Sequence, residues 1–180
     1  MAFFYPIIND DYQRVNNNHI DTVLSYFKLK MAYENAFTFT RSETVILHNS
    51  GKMNEFFACI IDKYKKFEKY YNFFIVEGTD FFNKGSPFIF DINNFIAKDL
   101  NFPVILVVNE ENKFPQVLAD HILIERNIIQ DKDNKIIIIV VNKAEIPQAA
   151  LGVFFQDKDF GAIILSAIPP KPLLKNPTMK

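Results

Sequence analysis

The chain reads as an α/β protein, with a mostly parallel, doubly wound sheet and helices on both faces. Apolar runs recur along it, separated by segments of helical periodicity. The run Ile136–Val141, "IIIIVV", has no polar alternation, as expected of a strand covered on both sides. Polar residues follow the runs directly, at the carboxyl edge where open parallel sheets hold their ligands.

In chain order, Ala2–Ile8 is the first expected strand. Asn18 and Asp21 open a helix with Ile20, Val23, Leu24 and Phe27 on one side. Thr40 and Glu43 have the spacing of a capping box and start the next helix. Met53, Phe56, Phe57, Ile60, Ile61, Tyr64 and Phe67 then form the stripe of a long amphipathic helix, with Cys59 beside it as core filler. Phe73–Val76 is a short buried strand. Asp91 can cap a helix carrying Ile92, Phe95, Ile96 and Leu100, which Asn101-Phe102-Pro103 ends. Strand Val104–Val108 follows, then a helix face of Phe114, Val117, Leu118, His121, Ile124 and Ile128. Strands at Ile136–Val141 and Ala162–Ala167 complete the set. A single domain over 1–168 is expected, with the Pro-rich segment 169–180 as the start of a linker.

With 20 basic and 21 acidic residues the net charge is -1, so no nucleic-acid partner or anionic membrane surface is expected. No apolar stretch approaches the ~18 residues a span needs, and no signal peptide is recognised. A lone cysteine suits a reducing compartment, and a cytoplasmic location is expected. The 20 Phe and 7 Tyr, without Trp, read as core filling.

The carboxyl edge supplies the candidates for chemistry. Glu77 precedes Gly78 directly after a buried strand, a placement that suits metal–water coordination, although a solvated turn accounts for the pair as well. Asn142-Lys143 after "IIIIVV" can read a nucleobase through the amide. Asn109, Glu110 and Glu111 read as a solvated turn. A phosphate loop needs G-x-x-x-x-G-K-[ST], since backbone can approach phosphate closely only at glycine. The Gly-Lys pair Gly51-Lys52 is followed by Met53 and has Ile46 where the earlier glycine belongs. His19, His48 and His121 are scattered, and no metal-ligand spacing or nucleophile elbow is present in this sequence.

The order of "AFFYPIIND", "NNHIDTVLSYF", "FFIVEGTDF", "FDINNFIAKDLNFPVILVVN", "IIIIVVNKAE" and "IPPKPLLKNPTMK" resembles the N-terminal domain of long phosphate acetyltransferases. That domain is itself similar to dethiobiotin synthetase, within the P-loop NTPase-like folds. The resemblance implies a three-layer α/β/α architecture that begins at the family's second strand, without the first strand and phosphate loop. Met1 would then be a boundary inside a longer protein or a misplaced start, with an acetyltransferase domain beyond Lys180. Glu77 matches the carboxylate facing magnesium in dethiobiotin synthetase, and Asn142 the asparagine contacting adenine; both are vestigial candidates here. Tyr5, before Pro6-Ile7, stands where those enzymes have a phosphate-holding lysine, and a neutral phenol cannot stabilise phosphoryl charge as an ammonium does.

The implied role is therefore a non-catalytic regulatory or assembly domain of a phosphate acetyltransferase, the enzyme that exchanges acetyl groups between coenzyme A and phosphate. Its expected partners are the acetyltransferase domain or subunit and further copies of itself, with no cofactor. The alternatives are a fragment of an ATP-dependent dethiobiotin synthetase-like ligase, or a free-standing interaction module. Without the family's first strand, the sheet is expected to close over the gap beside Phe73–Val76 or to pair there with another chain.

Overall fold

The computed structural model describes residues 1–10, 19–79, 87–109, 115–143, 155 and 163–168. The fold is α/β, and every strand pair among these residues is parallel. Among these residues the strands form small sheets rather than one continuous one, two of two strands and one of three. The chain divides into two compact units, Met1–Ile96 and Ala97–Lys180.

In the first unit, β1 (Ala2–Phe4) pairs with β4 (Phe74–Val76), and β2 (Ile7–Ile8) with β3 (Phe39–Thr40). Ala2–Ile8 is thus two strands, not one. Pro6 interrupts them because it has no N–H to contribute to a ladder. Its carbonyl instead accepts from the Thr38 and Phe39 N–H groups at 3.0 and 3.1 Å, which redirects the chain toward β3.

The register pairs Phe3 with Ile75 and Ala2 with Phe74, so Phe3 and Ile75 share one face and Phe74 lies on the other. On the Phe3 face, α1 (His19–Tyr26) buries Ile20 and Leu24, together with Ala36 and Phe37 beyond a 3-10 turn at Tyr33–Asn35. On the Phe74 face lies α3 (Met53–Glu68), whose Tyr64 ring meets Phe74 edge-on at 5.0 Å. Phe56 of α3 is fully buried and stacks on Phe39 at 4.9 Å. Cys59 is exposed, which corrects its reading as core filler. It precedes the buried Ile60 by one residue, about 100° round the helix from it. The Lys63 ammonium donates to the Glu34 carbonyl at 2.7 Å and to the Phe37 carbonyl, closing the 3-10 turn. Burial pushes its pKa down; Lys66 adds to this and Glu34 opposes it.

The capping box is present as the spacing predicts. Thr40 precedes α2 (Arg41–Asn49); its hydroxyl accepts from the Glu43 N–H, and the Glu43 carboxylate accepts from the Thr40 N–H at 2.7 Å. We expect Thr40→Ala to cost about 1 kcal/mol. Thermal melting should fall by about 2–4 °C, with faster hydrogen exchange in the first turn of α2, whereas Glu43→Gln, which keeps the acceptor, should cost less. Gly51, at φ +68, ends α2 in the left-handed region, and the Lys52 N–H reaches back to the Leu47 carbonyl at 2.9 Å. Gly51-Lys52 is thus a helix terminus.

Helix α4 (Pro87–Asp99) starts earlier than expected. Proline suits the first helical turn, so Asp91 lies inside the helix rather than capping it. Ile92 and Ile96 are buried as expected, while Phe95 stays half-exposed and stacks on Phe57 at 4.4 Å. One edge of β4 is filled by β1; among the described residues no strand pairs with the other, and Phe73 and Ile75 are 58% and 41% exposed. Closure over the gap is therefore not seen among these residues.

In the second unit, Asn101 takes φ +51 after α4, and the Phe102 N–H bonds the Ala97 carbonyl at 2.8 Å. Pro103 then leads into β5 (Val104–Asn109), which pairs with β6 (Ile136–Asn142), and β6 with β7 (Ile163–Ile168). No residue of β6 is exposed, as its unbroken apolar run predicts. Strand β5 departs from expectation: Ile105 and Val107 are more than half exposed. So does α5 (Pro115–Gln130), which buries Leu118, Ala119, Ile122 and Ile129 and leaves Val117 and Ile124 largely in solvent. Both sides of this helix are apolar, so periodicity alone could not say which packs inward. Phe114 lies outside the described residues, as do Asn18, Glu110 and Glu111.

Candidate functional site

Glu77 leaves the end of β4 with its N–H donating to the Phe4 carbonyl at 2.9 Å, which extends the β1–β4 ladder by one bond. Its carboxylate accepts from His19 Nε2 at 2.7 Å. His19 is the first residue of α1, and its ring sits edge-on to Phe3 and Tyr5, with centroids 6.1 and 5.9 Å away. Tyr5 thus has a local structural role: it forms one side of the aromatic seat for His19.

The glycine after Glu77 has a packing reason. A Cβ on Gly78 would stand 3.2 Å from Asn93 Nδ2 of α4. That amide grips the next residue at both ends: Asn93 Oδ1 accepts from the Thr79 N–H at 3.1 Å, and Nδ2 donates to the Thr79 carbonyl at 3.0 Å. The buried Thr79 hydroxyl donates to the Ile7 carbonyl at 3.2 Å, tying the turn to β2. Glu77-Gly78-Thr79 is therefore a fixed turn, pinned from α4, β1 and β2. Two other acidic residues, Asp10 and Glu43, are engaged with α2 and its cap. Asp10 accepts from the Ser42 N–H at 2.8 Å in the first turn of α2, and Glu43 is committed to Thr40.

Magnesium takes near-octahedral oxygen coordination, with at least one free carboxylate. One Glu77 oxygen, Oε2, is bonded to the His19 imidazole. Among the described residues no group of three or more His, Cys, Asp or Glu side chains is placed to hold a metal ion. Among the described residues, no further carboxylate is grouped with Glu77 to complete a magnesium site.

Asn142 lies in the second unit, at the end of β6 and in register with Asn109 of β5. Its Nδ2 donates to Asn109 Oδ1 at 3.0 Å, and its Oδ1 accepts from the Lys143 N–H at 3.0 Å, with Lys143 at φ +56. The amide is thus oriented by two contacts, and among the described residues it retains one N–H and one lone pair, enough for a planar donor–acceptor partner. Sequence reasoning set aside His19 as a scattered histidine and Asn109 as part of a solvated turn, and did not single out Asn93. A signal existed for Asn109: "VVN" ends both β5 and β6, and parallel neighbours in register bring such ends together. No local pattern points to Asn93, whose partner Thr79 is 14 residues away in the chain.

Two phosphate acetyltransferases are similar to this chain. That of Nitratidesulfovibrio vulgaris (strain Hildenborough) is 33% identical over 149 residues, covering 83% of this chain and 21% of the relative. That of Synechocystis sp. (strain PCC 6803) is 28% identical over 179 residues, covering 98% of this chain and 26% of the relative. The chain thus spans about a fifth to a quarter of the length of these relatives. The AAA domain family matches residues 1–178. With parallel strands, intervening helices and a match over nearly its whole length, the chain belongs to the AAA domain family, in a form found within phosphate acetyltransferases.

Proposed function

We propose that this chain is a non-catalytic regulatory or assembly domain of a phosphate acetyltransferase. Two curated acetyltransferases share its sequence over most of its length while extending far beyond it. The observation that carries the non-catalytic part is the engagement of Glu77 by His19, with Tyr5 packed on that histidine. A nucleotide-hydrolysing site would need that carboxylate for metal and a cation near the phosphates. On this reading the chain works in the cytoplasm against an acetyltransferase domain or subunit and against copies of itself, and Glu77 and Asn142 are remnants of a nucleotide site. In keeping with a role outside the bilayer, no helix among the described residues is long and apolar enough to cross a membrane.

The test pairs reconstitution with calorimetry. Added to an acetyltransferase region lacking this segment, the chain should co-elute with it and change its oligomeric mass or its response to metabolite effectors, measured as acetyl phosphate formation from acetyl-CoA and phosphate. Titration with Mg-ATP should give no heat. Magnesium-dependent ATP binding lost in Glu77→Gln would favour the ligase reading. Failure to associate in any ratio would favour a free-standing interaction module.

A further inference from the structure

We propose that His19 is the resident partner of Glu77, an internal clasp in place of the divalent cation that the family resemblance assigns to this carboxylate. Three observations converge on it. The Nε2–Oε2 separation of 2.7 Å is that of a well-formed hydrogen bond to a carboxylate. The imidazole is held by two aromatic rings, so its position is set by the β1 segment as well as by its own helix. The backbone carrying Glu77 is fixed by a bond to Phe4 on one side and by the Asn93–Thr79 lock on the other. The imidazole and the Glu77 main chain are therefore preoriented, which reduces the ordering entropy that makes most exposed pairs nearly neutral.

The clasp has a mechanical consequence. Helix α1 is 8 residues long, too short to persist in water unaided. Its start is joined to the end of β4 by His19–Glu77, and its apolar side rests on Phe3 through Ile20 and Leu24. Where a metal-dependent relative would organise this edge around a cation, this chain organises it around a side chain. The edge is then formed irrespective of magnesium.

The experiment uses the 180-residue chain. Magnesium or manganese chloride at millimolar concentration should leave the wild-type melting temperature unchanged. His19→Ala and Glu77→Ala should each lower it by about 1–3 °C, and the double variant should fall no further than the worse single. Hydrogen exchange should accelerate over residues 20–26 in each. In proton NMR, the slowly exchanging Nε2–H resonance should vanish in Glu77→Ala and persist, shifted, in Glu77→Gln. A magnesium-dependent rise in wild-type melting that Glu77→Gln abolishes would overturn the clasp. Additive losses in the double variant would overturn it too. The cation titration and the Glu77→Gln spectrum keep the test decisive if His19→Ala does not fold.

Discussion

Phe56→Ala is expected to destabilise the first unit by about 3–5 kcal/mol, the usual cost of emptying a fully buried phenylalanine site. Phe56 is 0% exposed and stacks on Phe39 at 4.9 Å with an interplanar angle of 24°. It also meets Phe57 edge-on at 5.2 Å. The alanine variant removes the ring from between α3 and β3 and leaves a cavity that the neighbouring rings cannot collapse into without losing their own stacking. Melting should fall by on the order of 10 °C, with hydrogen exchange rising first in α3 and β3. Phe56→Leu should recover part of the loss. An alanine variant that melts within a degree of wild type would mean that α3 does not pack as described.

Asn93→Ala is expected to cost about 2 kcal/mol, because both backbone groups of the buried Thr79 lose their partner at once. Asn93→Asp separates the two bonds: it retains an acceptor for the Thr79 N–H but offers no donor to the carbonyl. Gly78 makes the prediction sharper. In the wild type, Gly78→Ala forces a Cβ to within 3.2 Å of the Asn93 amide and should destabilise. In the Asn93→Ala background that clash is gone, so the same substitution should cost much less. Equal costs in both backgrounds would show that Gly78 is required for another reason. Chemical denaturation of the four proteins gives the cycle.

The glycine after Glu77 has a packing reason that its place in the sequence does not show. A carboxylate and glycine directly after an apolar strand suit metal–water coordination through oxygen. Here the closely approaching group is a side chain of the same protein. The histidine that engages Glu77 is 58 residues away in the chain, so spacing could not reveal it. Likewise Tyr5, read from the sequence as the loss of a phosphate-holding lysine, packs against His19.

Sequence alone determined the α/β class, the capping box at Thr40, the long helix over Met53–Glu68, the strands around Val104–Val108 and Ile136–Val141, and the resemblance to phosphate acetyltransferases. These rest on local signals: periodicity, cap spacing and the order of short segments. Tertiary structure decided the rest. It split Ala2–Ile8 at Pro6, chose the buried side of an α5 whose apolar residues are not confined to one side, left Ile105 and Val107 of β5 exposed, and bonded Glu77 to His19. The physical reason is common to all four. A residue's intrinsic preference specifies what it can bury or bond, whereas the partner that satisfies it is supplied by elements distant in sequence, and only packing selects among them.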